Sequence, residues 1–495
     1  MRRTRIWVPV VYLVLAVLFF ALKPAWGEPG RKDPQEAIGT LKEIIEYIYE
    51  DHVKSPSLDT LVQGAIEGVL QALDDPYTEY LPPEELKNFT GSLDGDYVGV
   101  GIQLKESGDY PEVVAIIEGS PASGSGIEPG DLILKVDGQD VKGLSLAEVV
   151  QKIRGLEGTK VLLTVQRPGV KSFEIELVRK NINIPTVISK KLENRTGYIK
   201  IGSFGGHTSG EFKKALKELT SIGADKIILD LRDCPGGLLH QAVKVTGCFV
   251  ENGSTVVKTE GKAEDQREFC TDSAPAAKGI GLAVLVNRSS ASAAEIVAGA
   301  LQDYRAAVIV GETTFGKGTV QTVIPLQNGG ALKLTTARYC TPKGRALDGT
   351  GLLPDVQVLT PELQEAVAYS ILNAPSPYRL VIDTASGEAA LNGMRLRLPR
   401  PVLQRGGEVY LPLRFVFEAM GYRVDWREAD GSIEIEGGGR RLYAKIDGSI
   451  TGCGLDNWTG GTVLVENGAS YLPLSVLGKT GFSVFRNENT ITIEK

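Results

Sequence analysis

Ser292, Lys317 and Gln321 are the residues of this chain whose types and spacing could do chemistry together. Ser292 lies in VNRSSASAAEIVAGALQD (286–303), where a turn of small residues runs into an apolar helical pattern. Lys317 follows 25 residues later in VGETTFGKGTVQ (310–321), and Gln321 stands four residues beyond it. A hydroxyl needs a base before it can attack a peptide carbonyl. The chain has only three histidines, so the lysine is the natural base. An ordinary lysine, with a pKa of ~10.4, is protonated at neutral pH and cannot accept a proton. Burial in an apolar pocket depresses that value, by about 3–5 pH units at the extreme. Phe315, Gly316, Gly318 and Val320 place no carboxylate beside Lys317. In an extended strand, residues four apart point to one face, so Lys317 and Gln321 could both reach Ser292.

Blander readings compete. Taken alone, Ser292 reads as a cap of the helix that follows it. Glu295 reads as a first-turn carboxylate favoured by the helix N-terminus, not as an acid catalyst. His207, in a glycine-rich loop, and His240 are weaker candidates for a base. The runs GSFGG and TFGKGT lack the phosphate-loop pattern, which disfavours nucleotides.

The elements that must position these residues are α/β in character. Compact apolar runs at 198–201, 226–231, 282–286, 307–310 and 332–339 predict buried strands. Helices are predicted between them at 209–220, 238–248 and 291–304. Upstream, residues 33–92 predict helices, with Asp33-Pro34 as a cap and first-turn proline. Two short amphipathic helices bury little alone and need the body or a second subunit. Residues 93 to about 180 change to short β-rich runs punctuated by glycine, around a helix at 145–154. After 372 comes a Pro/Ala/Ser linker (373–384) and then a module with two copies of one pattern: YLPL, a short helix, glycine-aromatic, a strand.

A chain of 495 residues predicts three or four domains. The net charge of -7 argues against nucleic acid as a partner. The five cysteines have no CxxC spacing, so no zinc site is expected. Cys248 and Cys270 are the candidate pair for a bridge. Arg2, Arg3 and Arg5 precede an uncharged apolar run at 6–22. This predicts export, with residues 1–27 as a signal peptide or a membrane anchor on the outer face of a bacterial membrane.

Two family resemblances follow from ordered motifs. GVGI (99–102), GSPA (119–122) and GD-L-I (130–133), in the order strand, SPA helix, strand, DG turn, helix, strand, resemble a PDZ domain over 93–180. In that family the loop Gly99, Val100, Gly101 and Ile102 presents backbone amides to a peptide C-terminal carboxylate, and the peptide adds as a strand. LDDPYTEYLPPEE (73–85), the PDZ region, DLRDCPGGLL (230–239), SSASAAEI, FGKGTVQ and LDGTGLLPDV (347–356) together resemble the C-terminal processing peptidases, or tail-specific proteases. That resemblance implies Ser292 as nucleophile, Lys317 as general base and Gln321 as the residue orienting the lysine. Ser289 and Ser290 lack the spacing to Lys317 that the family shows. It also implies an oxyanion hole from the Pro235-Gly236-Gly237 loop, with Gly237 favoured over Gly236, and from the Ala293 N–H at a helix start. Cys234 departs from the family, where asparagine is usual. Arg154, closing the PDZ helix, is a regulatory candidate that could couple peptide binding to the core.

The implied fold is multidomain α/β: N-terminal helices (28–92), a PDZ domain, a ClpP/crotonase-like serine protease core (181–372) and a small α+β C-terminal repeat domain (385–495). The last resembles the copper amine oxidase N-terminal-like stalk domain, read here as a wall-attachment or spacing module. It contains no histidine, so copper is not expected. No cofactor is expected. The partners expected are proteins with exposed C-terminal tails, a regulatory protein, the cell envelope and a second copy of the chain. The competing readings are a catalytically silent PDZ scaffold and a crotonase-like acyl-CoA enzyme.

Overall fold

The structure is a computed structural model that describes residues 34–495 apart from 95, 184, 263–265, 375, 446–449, 453–454 and 459–462. Residues 1–27, expected to direct export, and Cys453 lie outside these residues. Among the described residues no helix is long and apolar enough to cross a membrane. The chain divides into two units, Met1–Tyr80 and Leu81–Lys495.

In the first unit, α1 (Pro34–Asp51) and α2 (Leu58–Gln71) carry the expected helical stripes. The Ser57 hydroxyl caps α2 by accepting from the Thr60 N–H at 3.1 Å. Ile38, Leu41, Ile45, Tyr49, Leu58 and Val62 line an apolar groove, and α2 buries none of its residues.

The second unit opens with α3 (Pro83–Asp94) and β1 (Asp96–Gly99). A five-strand antiparallel path follows: β2 (Ile102–Lys105), β3 (Glu112–Ile116), β4 (Leu132–Val136), β5 (Lys160–Gln166) and β6 (Phe173–Val178), with α4 (Leu146–Ile153) between β4 and β5. Alternation puts Val113, Ile133, Val161, Leu163 and Val165 in its core with Val149 of α4. Within GD-L-I, Asp131 is buried and is gripped by Arg167, Nε to Oδ1 at 2.8 Å and Nη2 to Oδ2 at 2.9 Å. Burial opposes its charge, but those bonds hold its pKa below the ordinary value. The exit strand β7 (Lys180–Asn183) pairs antiparallel with β1, so the chain enters and leaves this domain through one ribbon.

The core is a six-stranded sheet in the order β8 (Val187–Lys191), β9 (Thr196–Ile201), β10 (Lys226–Asp230), β13 (Gly281–Val286), β14 (Val308–Gly311), β17 (Val356–Gln357). All neighbours after β8 and β9 pair parallel. Ile199, Ile227, Leu229, Val284 and Ile309 face α5 (Thr208–Ser221), α6 (Leu239–Thr246) and α7 (Ala293–Asp303) on one side. Tyr198, Ile228, Ala283, Leu285 and Val310 belong to the cluster on the other side, with α8 (Pro361–Asn373). A second, antiparallel sheet holds β11 (Thr255–Gly261), β12 (Gln266–Cys270), β15 (Thr319–Pro325) and β16 (Ala331–Cys340). The run at 332–339 therefore joins this half-exposed sheet rather than the buried one. Cys248 and Cys270 are free thiols, the first buried and the second exposed, so the expected candidate bridge is not formed.

The C-terminal module departs from expectation at its boundary. Residues 379–383, read as linker, form β18 (Arg379–Asp383), which pairs with the last strand (Thr490–Glu494). Leu380 and Ile382 alternate into a core that also holds Leu363, Val367 and Tyr369 of α8. The module thus shares one apolar cluster with the face of the core sheet that α8 covers. Its two copies meet head-on: the YLP strands pair antiparallel, Leu411 opposite Leu472 and each tyrosine opposite the other copy's proline.

Candidate active site

Three neighbouring parallel strands deliver three loops to one edge, at their carboxyl ends, where open α/β sheets place their sites. β10 leads into residues 231–238, β13 into the turn 287–292, and β14 into residues 312–318.

The turn after β13 is tied down by Ser290. Its buried hydroxyl donates to the Leu231 carbonyl at 2.8 Å and accepts from the Asn287 N–H at 2.9 Å. Asn287 in turn accepts from the Asp233 N–H at 3.0 Å and donates to its carboxylate at 2.8 Å. Ser290 is thereby a structural residue. Ser292, half-buried at the N-terminus of α7, is held at φ 54° and ψ -114°. That backbone is strained for a residue with a Cβ.

Glu295 holds that strain. It is fully buried and accepts four hydrogen bonds. Oε2 takes the N–H of Ser292 at 2.9 Å and the N–H of Lys317 at 3.0 Å. Oε1 takes the N–H of Gly316 at 2.8 Å and the Thr314 hydroxyl at 2.5 Å. One oxygen therefore joins the backbone of Ser292 to that of Lys317. The Tyr339 hydroxyl closes the other side, donating to the carbonyl of Lys317 and, at 3.4 Å, to that of Ser292. Burial pushes the Glu295 pKa up, against the four bonds that favour the charged form. The sequence reading placed Glu295 correctly in the first turn and missed this role. Its one trace is a carboxylate early in the run AAEIVAGAL, whose other residues are all apolar and buried.

Lys317 is half-buried. β15 begins only at Thr319, and a bulge separates Val320 from Gln321. The strand alternation invoked for Lys317 and Gln321 therefore does not apply. The Gln321 amide nitrogen donates to the Thr319 hydroxyl at 2.9 Å and the Thr335 hydroxyl at 3.2 Å.

The loop after β10 is pressed against Ser292. A Cβ on Gly236, which sits at φ 96°, would lie 2.7 Å from the Ser292 Cβ and 2.9 Å from the Ala293 nitrogen, so only glycine fits. The Gly236 amide faces the Cys234 sulfur; burial outweighs that contact and pushes the thiol up to about 11. Gly237 is exposed. Its neighbours, not its own N–H, make the bridge to Phe204: Phe204 donates to the Gly236 carbonyl at 2.8 Å and Leu238 donates to the Phe204 carbonyl at 2.7 Å. Ala293 opens α7 beside this loop. His240 lies against the Gln241 side chain at 3.2 Å, and burial lowers its pKa.

In the PDZ region, Gly99 ends β1, Ile102 starts β2, and Val100 is buried between them. The Val100 carbonyl accepts from the Ala122 N–H at 2.8 Å and that of Gly101 from Ile117 at 2.9 Å, which anchors the loop to the SPA turn. β2 is the edge of its sheet. Arg154 ends α4, exposed. The charge on the carbonyls there is that of buried Arg179, whose Nε donates to Ile153 at 2.8 Å and Nη2 to Lys152 at 3.3 Å.

Comparison with known proteins assigns the segments of the chain to families. Residues 195–358 match the Peptidase family S41 and residues 112–167 a PDZ domain. Residues 27–85 match the activating protease CtpB N-terminal domain and residues 390–495 the copper amine oxidase N-terminal domain. The last name implies copper, but residues 390–495 hold no histidine and a single cysteine, Cys453, so the donor set does not fit. A "Probable CtpA-like serine protease" of Staphylococcus aureus is 41% identical over 334 residues, 67% of each chain. A protein of the same description from Staphylococcus saprophyticus is 34% identical over 383 residues, 76% of this chain and 77% of its own. A solved photosystem II D1 C-terminal processing protease is 31% identical, covers 65% of this chain and 87% of its own, and superposes with a TM-score of 0.41. With a 41% identical relative spanning two thirds of both chains and the ordered domains in place, this chain belongs to Peptidase family S41, the C-terminal processing proteases, and is a CtpA-like serine protease with a PDZ domain.

Proposed function

We propose that this serine protease cleaves with Ser292 and Lys317, drawing its substrates in by their C-terminal tails. The reading is carried by one observation: a single carboxylate oxygen of Glu295 binds the backbone N–H of both Ser292 and Lys317. Two loops from different strands are thereby fixed side by side. An uncharged Lys317 amine takes the proton from the Ser292 hydroxyl as the oxygen attacks the substrate carbonyl. The oxyanion accepts hydrogen bonds from the N–H groups of Gly237 and Ala293. Protonated Lys317 then gives its proton to the leaving amine; the freed Lys317 amine takes a proton from water as the water attacks the acyl group, and returns it to the Ser292 oxygen as the acyl–oxygen bond breaks. Gln321 orients the lysine from β15. No cofactor takes part.

The edge strand β2 and the loop Gly99–Ile102 support capture of an extended tail by strand addition, its carboxylate on the loop amides. Arg154, exposed at the end of α4, is the candidate for a link from that groove to the core. The basic and apolar N-terminus supports export to the outer face of a bacterial membrane. The apolar groove of the first unit supports dimerisation or a regulatory partner. An envelope contact falls to the C-terminal module.

The test is digestion of an unstructured protein with an apolar C-terminal tail. Wild type cleaves it, Ser292→Ala and Lys317→Ala do not, and amidating the tail slows wild type. Equal cleavage by wild type and Ser292→Ala refutes the proposal and leaves a silent scaffold.

A further inference from the structure

The C-terminal module and the loop beside Ser292 are joined by one chain of polar contacts. Glu418, in α9 (Leu413–Ala419) of the module, is 2% exposed. Its oxygens accept the N–H groups of Leu359 at 3.1 Å and Thr360 at 2.9 Å, the residues that lead into α8. Arg414 donates to it at 3.2 Å. Within the first turn of α8, the Pro361 carbonyl and the Gln364 side chain accept from Arg232 Nη1 at 3.4 and 3.2 Å. The same guanidinium grips fully buried Asp230, Nε to Oδ1 at 2.9 Å and Nη2 to Oδ2 at 2.5 Å, and the Tyr198 hydroxyl donates to Oδ2 at 2.6 Å. Arg232 stands at the base of the loop that carries Gly236 and Gly237.

A spacer that stood apart from the protease would have no cause to sink a carboxylate into it. Taking a carboxylate out of water is unfavourable unless its hydrogen bonds are replaced. Here both oxygens of Glu418 are spent on two backbone amides of the peptidase. The bonds run from α9 to the residues that lead into α8 and from the first turn of α8 to Arg232, whose own backbone continues into the loop. A planar guanidinium grips Asp230 with two N–H bonds while its remaining nitrogen reaches α8, a fork that the point charge of an ammonium does not reproduce.

We propose that the C-terminal module is a fixed support of the oxyanion loop: Glu418 holds the start of α8, and α8 holds Arg232 as a positioning residue at the loop's base. The catalytic half of this inference rests on the peptidase reading above; the structural half does not.

The experiment uses the full chain and two conservative variants, Arg232→Lys and Glu418→Gln. The first keeps the charge and loses the fork; the second keeps the size and one acceptor oxygen. Hydrogen exchange is followed at the amides of Asp233, Cys234 and Gly236, alongside kcat and KM on the unstructured substrate. Expected is exchange faster by about tenfold at these amides in both variants, with kcat down about tenfold and KM within twofold, because a displaced donor weakens the transition state and not substrate capture. Restoring activity should follow planarity, so Arg232→Lys stays impaired despite its charge. Unchanged exchange in both variants overturns the proposal. So does a rise in KM at constant kcat. If Arg232→Lys does not fold, Glu418→Gln decides alone. If wild type shows no Ser292-dependent cleavage, the peptidase chemistry fails, and the exchange measurement still decides the support.

Discussion

Replacing Glu295 tests the clamp that joins the backbones of Ser292 and Lys317. Glu295→Ala strips the acceptor from three backbone amides, those of Ser292, Gly316 and Lys317, and from the Thr314 hydroxyl. A buried donor left unpaired costs about 1–3 kcal/mol. Gly316 is buried, while Ser292 and Lys317 are half-buried and can regain some water. Loss of a buried charge offsets part of the total, because burial already disfavours the ionised form. The net destabilisation expected is about 3 kcal/mol. Glu295→Gln keeps one oxygen, and its amide can donate to a rotated Thr314 hydroxyl, so one amide is stranded and the expected loss is about 1–2 kcal/mol. Catalysis should fall further than stability. The positive φ of Ser292 stores about 1–3 kcal/mol, and its N–H bond to Glu295 is what opposes relaxation. Relaxation of about 2.7 kcal/mol in the reacting geometry lowers kcat about 100-fold. Urea unfolding and steady-state cleavage measured on the same preparations decide the matter. Glu295→Ala with wild-type kcat and an unmoved midpoint would refute the reasoning.

Three further outcomes follow from burial. Of the four described cysteines, Cys270 alone is exposed, so at pH 8 it should react with a thiol reagent in the folded protein, while Cys234, Cys248 and Cys340 react only on unfolding. Cys234 and Cys248 are pushed up to about 11 from an ordinary 9.0. The native state thus keeps protons the unfolded chain loses, and their contribution is present below about pH 9 and lost between there and about pH 11. The urea midpoint should fall across that window, and less steeply in the Cys234→Ala, Cys248→Ala double variant; an equal slope in both refutes the assignment. Ending the chain after Asn373 uncovers α8 and removes the Glu418 partner of Leu359 and Thr360. The truncated protein should aggregate or bind a hydrophobic dye, since each large apolar side chain returned to water costs about 1.5–3 kcal/mol. A monodisperse, active truncation would show that the module is dispensable.

Much of this was legible in the sequence because burial writes itself into runs of residue types. The strands at 198–201, 226–231, 282–286 and 307–310 stand out because a parallel sheet covered on both faces is apolar throughout. β15 did not stand out: Gln321 and Thr322 belong to a half-exposed antiparallel strand, whose polar face dilutes the signal. The bulge before Gln321 has no signature in residue type at all, and with it went the argument from alternation. β18 was lost to the Pro/Ala/Ser character of its surroundings, though Leu380 and Ile382 carry the period of two. Cys234 shows a different limit. Its replacement of the family's asparagine was plain, but only geometry reveals that the Gly236 amide faces the sulfur while Gly237 stays open to solvent. Glu295 and Glu418 were hidden for a shared reason: a carboxylate earns burial through backbone amides, and those have no letter in the sequence.

The loops that carry Gly236, Ser292 and Lys317 leave adjacent strands of one parallel ladder, with Asp230 opposite Leu285 and Val286 opposite Gly311. A slip of a single residue in either pairing carries a loop about 3.3 Å along the sheet and turns its inward side chains outward. Bond-making distances tolerate nothing of that size. Alignment of Ser292, Lys317 and the Gly236–Gly237 loop is therefore quantised by hydrogen-bond register. Insertions can lengthen the remote connections of this protein freely, yet none can be absorbed within β10, β13 or β14 without disengaging the chemistry.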